Sequence, residues 1–427
     1  MDTLQSLLVP SIVVALMYLG ALAGAAVVAA LKTGGRRDDG AGPDDAVSLS
    51  RFTIPVSIIV PTATDLSRVS HTIAALLGLN YPEVEVIVVV DGASGQAFES
   101  LAKDWTLEAK EFFYRQSIPT SAVRRIYRSG RDPRVTLVDK ATGHRADAVN
   151  CGVNIARYRY VTAISPDLTF DAKALLRLMS APLRDPGAVL GASSHVEGVG
   201  LFERLGSARS LMASRLIWRA LGRGFASPSS VHVWRRDVVL EAKGLSLTAF
   251  DADLDLTRRA VMAAVATGVP GRFSRGADVF GQAAAGTVAH ALGDGGRRTM
   301  GVLGCLRLLT PGGVRAFGAS ALAGFFASEL LTPIAELWVI VGLTVAGALG
   351  VLPWGTLLAA VALLSFGHAT VTTAALLMRG AASGSPEDGE LTRLLVAGPL
   401  EFVLYRPVLA AASLLRLLPR KSAIDNL

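Results

Sequence analysis

Residues 56–92 read VSIIVPTATDLSRVSHTIAALLGLNYPEVEVIVVVDG, and this stretch decides the fold class. Val56–Val60 is a short apolar run closed by Pro61, the pattern of a buried strand. Residues 66–79 carry apolar side chains at helical spacing, and Val84–Val90 is a second apolar run ending at Asp91-Gly92. Further along, residues 96–115 read as helix, Val135–Val138 as strand, Ala146–Ala156 as helix and Tyr160–Ile164 as strand. This alternation predicts an α/β domain, a Rossmann-like, mostly parallel sheet covered by helices on both faces. Ligands of such sheets bind at the carboxyl ends of the strands, where Asp91 and Asp167 both fall.

Composition sets the frame around that domain. The 427 residues are 51% hydrophobic and only 18% charged, with a mean hydropathy of +0.45. That is too apolar for an ordinary soluble enzyme and too charged for a pure membrane bundle, so a globular domain with a few spans fits. The net charge is +7 with a pI near 9.6, but the basic residues are spread out without a Lys/Arg run. A nucleic-acid partner is therefore not expected; cations flanking apolar segments suit anionic lipid and membrane orientation instead. Cys151 and Cys305 form no framework or C-x-x-C pair, as in a reducing cytoplasm, and no histidines pair at zinc-ligand spacing.

Residues 7–31 carry no charge, and about 20 apolar residues suffice to cross a bilayer. Lys32, Arg36 and Arg37 follow at once, which directs the chain from residue 32 onward to the cytoplasm. We therefore expect an anchor at 1–32, a Gly- and Asp-rich linker at 33–52, a globular domain at 53–310 and a membrane region at 311–427. Two spans are expected there, near 331–352 and 355–378, with a tight Pro353-Trp354-Gly355 turn between them. Arg379 and Arg393 bracket a polar loop of cytoplasmic character. The last apolar segment, 394–418, holds Glu401 and Arg406 in mid-run, which leaves two readings: an interfacial or re-entrant helix, or a span whose charges face neighbours. Residues 201–221 also read two ways, as a core-packing helix or as a helix on the bilayer surface.

Five blocks in order then carry a resemblance: PVSIIVPTATD (55–65) with NYPEVEVIVVVDGAS (80–94), KATGHRADAVNCGVNIAR (140–157), YVTAISPDLTF (160–170), SVHVWRRDVVLEAKGL through AFDADLDLTRRA (230–260), and GDGGRRTM (293–300). Their order is similar to that of membrane-bound family 2 glycosyltransferases of the GT-A fold, which include poly-N-acetylglucosamine and hyaluronan synthases and non-processive lipid-glycosylating enzymes. The resemblance implies nucleotide-sugar contacts from Pro61, Asp91, Arg145 and Asn150, with Arg298 neutralising the leaving diphosphate. It implies Asp167 as ligand of a divalent cation, Mg²⁺ or Mn²⁺, that bridges the diphosphate to the protein. It also implies Asp253 as the base that deprotonates the acceptor hydroxyl, with Asp251 and Asp255 as adjacent alternatives.

Some positions depart from the family pattern. Ala63 and Thr64 replace an aromatic and an Asn, Val90 the first of two acids, Arg145 the usual Lys, and Ser165 the first acid of a D-x-D. Ala252 replaces a Glu, and Gly295 and Thr299 replace the Gln and Trp of a Q-x-x-R-W. The expected function is an inverting, metal-dependent transfer from a UDP- or GDP-sugar to a lipid-linked or polysaccharide acceptor, by a multi-pass protein of the inner membrane with a cytoplasmic catalytic domain. The alternative is a catalytically degenerate homologue that serves as a membrane assembly partner.

Overall fold

The computed structural model describes residues 53–62, 66–92, 96–111, 113–213, 230–268, 272–283, 300–326, 329–330, 332–350, 353–383 and 388–415. The expected N-terminal span, the linker and Arg298 lie outside these residues.

Strands β1 (Val56–Thr62) and β2 (Val84–Asp91) run parallel with Val56 opposite Val84, and all of β1 is buried. An unbroken apolar run is what burial of both faces requires. Two polar exceptions, Ser57 and Glu85, face each other. Ser57 Oγ donates to Glu85 at 2.6 Å, and Glu85 also accepts from Arg157 Nε at 2.8 Å. β1 does not stop at Pro61, as the sequence suggested, but continues to Thr62. The Ile59 carbonyl accepts from the Ile164 amide at 2.9 Å on the side of β6 (Tyr160–Ala163). Pro61, two residues on, faces that same side, where pairing with β6 has already ended at Ala163, so no ladder donor is missed.

The remaining strands are β3 (Leu107–Ala109), β4 (Val123–Ser129), β5 (Val135–Lys140), β7 (Leu168–Phe170), β8 (Val189–Glu197), β9 (Ser230–Arg235) and β10 (Arg272–Ala283). The sheet order is β3-β4-β5-β2-β1-β6-β9-β8-β10-β7. The central β5-β2-β1-β6 ladder is parallel, but β3, β4, β7 and β9 pair antiparallel to their neighbours. The sheet is thus mixed, a correction to the mostly parallel sheet expected. Part of the reason lies at α2 (Gln96–Asp104), which ends well before residue 115. Thr106 takes φ of 48°, the chain reverses into β3, and Ser129 Oγ pins the turn by donating to the Trp105 carbonyl at 2.7 Å.

Alternate β1 residues feed two cores. Ile59 packs with Ile87, Val138 and helix α3 (Arg145–Ile155) on one face. Ile58 and Val60 pack with α1 (Val69–Leu77) and α4 (Ala174–Arg184) on the other. The first core also takes in α7 (Ala252–Ala266), α8 (Pro311–Phe317) and α9 (Ala319–Phe326), so it continues past residue 310. The short α6 (Arg236–Glu241) follows β9.

A helical unit follows: α10 (Thr332–Ala348), α11 (Trp354–Ser383), α12 (Asp388–Leu400), a π-helical turn at Glu401–Tyr405, and α13 (Arg406–Leu415). Helix α5 (Leu201–Ala213) joins it through Leu205 and Ala208, which pack on Val371, Ala375 and Leu394, and the rest of the segment read over 201–221 lies outside the described residues. Among the described residues, one helix is long and apolar enough to cross a membrane, Trp354–Leu376; Ile334–Ala348 is apolar but shorter. Spans at both ends of the chain, as expected from the sequence, are therefore not established. Glu401 and Arg406 turn inward. Glu401 accepts from Arg209 Nη1 at 2.6 Å, and Arg406 pairs with Glu336.

Candidate active site

The carboxyl ends of β1, β2, β5 and β6 share one edge of the sheet, and β1 and β6 are neighbours although the chain visits β2 and β5 between them. This reversal of strand order opens the crevice in which α/β sheets bind ligands.

At this edge β2 ends in Asp91 directly opposite Lys140, the last residue of β5. Lys140 is fully buried. Its Nζ donates to Asp91 Oδ1 at 2.7 Å and to the Ala141 carbonyl at 2.9 Å, and lies 2.7 Å from Asp147 Oδ2. Burial alone pushes the ammonium pKa down, but the bonds from Asp147 and Asp91 outweigh it and hold the value above that of an ordinary lysine. Asp147 is shifted the other way. Burial raises its carboxyl, yet the Lys140 and Ser121 hydrogen bonds carry it below the usual range. Asp91 Oδ1 also accepts from the Gly143 amide at 2.8 Å. One oxygen of the carboxylate expected to meet a nucleotide is thus engaged within the protein. Sequence reading missed Lys140; its signal was a lysine closing an apolar strand, matched in register to an acid.

α3 begins at Arg145, N-capped by His144, whose Nδ1 accepts from the Ala146 amide at 3.2 Å. Arg145 is half exposed and its Nη1 lies 3.7 Å from Asp253 Oδ2. Asp253 stands in the first turn of α7, which Asp251 caps by accepting from the Leu254 amide at 2.9 Å. Burial, then the adjacent Asp253, raises the Asp251 carboxyl above its ordinary range. From β9, His232 Nδ1 approaches Asp253 Oδ1 at 4.0 Å. Asp255 faces elsewhere, bridged to Arg258 at 2.8 Å and Arg259 at 2.7 Å.

Asn150 lies in the buried body of α3. Its Nδ2 donates to the Leu245 carbonyl at 2.9 Å and its Oδ1 accepts from the Leu245 amide at 2.7 Å. Both ends of the amide are therefore spent on the loop that leads to α7, and Asn150 positions that loop rather than facing solvent. Gly244, at φ of 76°, brings the backbone so close that a Cβ there would lie 2.5 Å from Asn150 Oδ1. Pro61 is buried within β1.

Asp167 follows β6 and is well exposed, with its Oδ1 3.5 Å from Arg68 Nη1. Among the described residues no group of three or more His, Cys, Asp or Glu side chains gathers at metal-binding distance. A Mg²⁺-type ion needs only one or two carboxylates when substrate phosphates complete its shell. The donor set therefore fits a cation that Asp167 holds weakly and a diphosphate completes. A pocket of about 620 Å³ lies between Ser246, Phe250, Asp255, Arg258 and Met300. Asp251 and Asp255 line it, whereas Asp253, Arg145 and Asp167 do not.

Residues 57–242 match the family described as "Glycosyl transferase family 2". The segment is thus similar to that family, and it is set in a mixed α/β fold of the GT-A type. No curated protein matches the chain. Among solved structures, a mannosyltransferase from Pyrobaculum calidifontis in complex with GDP-Man and Mn²⁺ aligns over 92% of this chain and 99% of its own, at 15% identity and a TM-score of 0.57. S. aureus TarS 1–349 aligns over 82% of this chain and 91% of its own, with 14% identity and a TM-score of 0.40. Glucosyl-3-phosphoglycerate synthase from Mycobacterium tuberculosis aligns over 63% and 83%, with 12% identity and a TM-score of 0.40. The first of these carries the comparison of folds.

Proposed function

We propose that the chain is an inverting, metal-dependent glycosyltransferase that moves a sugar from a UDP- or GDP-sugar to a lipid-linked or polysaccharide acceptor at the inner face of the cell membrane. The observation that carries this reading is Asp253. Its carboxylate sits at the start of a capped helix, 3.7 Å from Arg145 at the start of another, beside the crevice between β1 and β6. In the proposed reaction Asp253 takes the proton of the acceptor hydroxyl as that oxygen attacks C1 from the face opposite the diphosphate. Arg145 orients the carboxylate and adds positive charge at the mouth of the site. Asp167 would hold the divalent cation, which would neutralise the departing diphosphate. The mannosyltransferase of similar fold is a complex with GDP-Man and Mn²⁺, which makes GDP and Mn²⁺ natural first probes.

Attachment to a membrane is supported by α10 and α11, which turn Trp338, Leu358, Leu363 and Phe366 outward. A second reading, a non-catalytic partner of another membrane transferase, draws on the engagement of Asp91 by Lys140 and on the single exposed acid after β6. Titration of the detergent-purified chain with UDP and GDP, with and without Mn²⁺, separates the two. The transferase reading expects binding, retained in Asp253→Asn while transfer falls by about 10²–10⁴-fold. Absence of binding at millimolar nucleotide in a folded protein would instead favour the partner.

A further inference from the structure

Arg68 precedes α1 on the loop leaving β1, and Asp167 lies on the loop leaving β6. These are the two loops that border the crevice. Their separation is set by backbone as well as charge: Thr72 Oγ1 lies 2.9 Å from the Arg68 carbonyl and 3.1 Å from that of Pro166. Arg68 and Asp167 meet through one contact, Nη1 to Oδ1 at 3.5 Å, with 59% and 65% of their side chains exposed. A single long contact between exposed groups adds little stability, so exchange of partners costs little. Guanidinium offers five donors in a planar fork, and this contact uses one of them.

The neighbouring cations are held differently. Lys140 is buried between Asp91 and Asp147, and Arg145 is directed at Asp253. Arg68 alone of these three rests on the carboxylate assigned above to the divalent cation. A metal on Asp167 would displace Arg68 from Oδ1, and the next anion within the crevice would be the donor diphosphate. We propose that Arg68 is a phosphate-binding residue that competes with the metal for Asp167 and passes to the diphosphate when the metal takes that carboxylate. The chain would thereby offset the acid missing at Ser165 with a positive charge of its own. This inference rests on the glycosyltransferase reading.

The test uses the full chain in detergent, with Arg68→Gln, Arg68→Lys and Asp167→Asn. Mn²⁺ binding without nucleotide is followed by the loss of the free-ion electron paramagnetic resonance signal. UDP, GDP, UMP and GMP are titrated calorimetrically, with Mn²⁺ and in EDTA. Removing the competitor should make Mn²⁺ bind several-fold tighter to Arg68→Gln than to the parent, whereas Asp167→Asn should lose it. With Mn²⁺, Arg68→Gln should bind the diphosphate about tenfold more weakly, with the monophosphate nearly unchanged and Arg68→Lys intermediate, and in EDTA this difference should disappear. Parallel losses for mono- and diphosphate, or unchanged Mn²⁺ affinity, would overturn the role of Arg68 while leaving the enzyme reading intact. A parent protein that binds no nucleotide would bring down that reading, and this inference with it.

Discussion

Lys140 is the residue on which the rim of the site depends. It brings two carboxylates from different elements, Asp91 of β2 and Asp147 of α3, to one ammonium without exposure to water. Removing one partner of a buried ion pair leaves uncompensated charge, so Lys140→Met should destabilise the fold by about 3–5 kcal/mol in urea denaturation. The pH dependence has a definite sign on each side. The raised Lys140 pKa contributes stability that is full below 10.5 and is lost as pH rises through the higher folded value. The lowered Asp147 pKa contributes stability present above 3.8 and lost as pH falls through the lower folded value. The contribution of this cluster to the parent's stability should therefore stay constant across the neutral range, and a slope seen there only in Lys140→Met would belong to the carboxylates left unpaired. Of the candidate residues, Asp91 was legible from its position at a strand end, and Asp253 only from the resemblance of its block to the family. The engagement of Asp91 was not, because Lys140 is distant from it in sequence.

At the scale of elements, α3 does more than cover the sheet. Arg145 at its start faces Asp253, while Asn150 in its body holds the Leu245 backbone two hydrogen bonds deep. One helix thus orients the proposed base directly and positions the loop that delivers it. Asn150→Ala would leave a buried amide and carbonyl of Leu245 unpaired, at a cost of about 2–4 kcal/mol. Thermal unfolding should report that loss, and turnover should fall while nucleotide affinity stays close to that of the parent. β1, β2, β5, β6 and α3 were readable because apolar runs and helical spacing are local signals. β3, β4, β7 and β10 were not: they are short, partly exposed or broken by irregular pairing, and they become strands by docking on an existing edge.

In the molecule as a whole, the sheet domain and the helical unit are joined through α5. Arg209 leaves the domain side and ends among apolar helices, donating to Glu401 at 2.6 Å and to Thr372 Oγ1 at 2.8 Å. Arg406, Glu336 and His368 extend this cluster, with His368 Nε2 3.2 Å from Glu336 Oε1. Arg209→Met alone should lower the stability of the detergent-purified chain by about 3–5 kcal/mol, because Glu401 loses its hydrogen bonds from Arg209 in an apolar setting and keeps, among the described residues, only Arg406 Nε at 3.7 Å. The double variant Arg209→Met, Glu401→Met should recover most of it, as read by melting temperature. Sequence alone determined the order of strands and helices around β1, the apolar helices near the C-terminus and the acid that closes β2, since each is written in a window of a few residues. Only the tertiary structure decided the mixed sheet, the engagement of Asp91 by Lys140, the turn of Asn150 toward Leu245 and the pairing of Arg209 with Glu401. Each of those depends on which distant groups a buried charge or amide meets, and burial makes such partners obligatory without naming them in the local sequence.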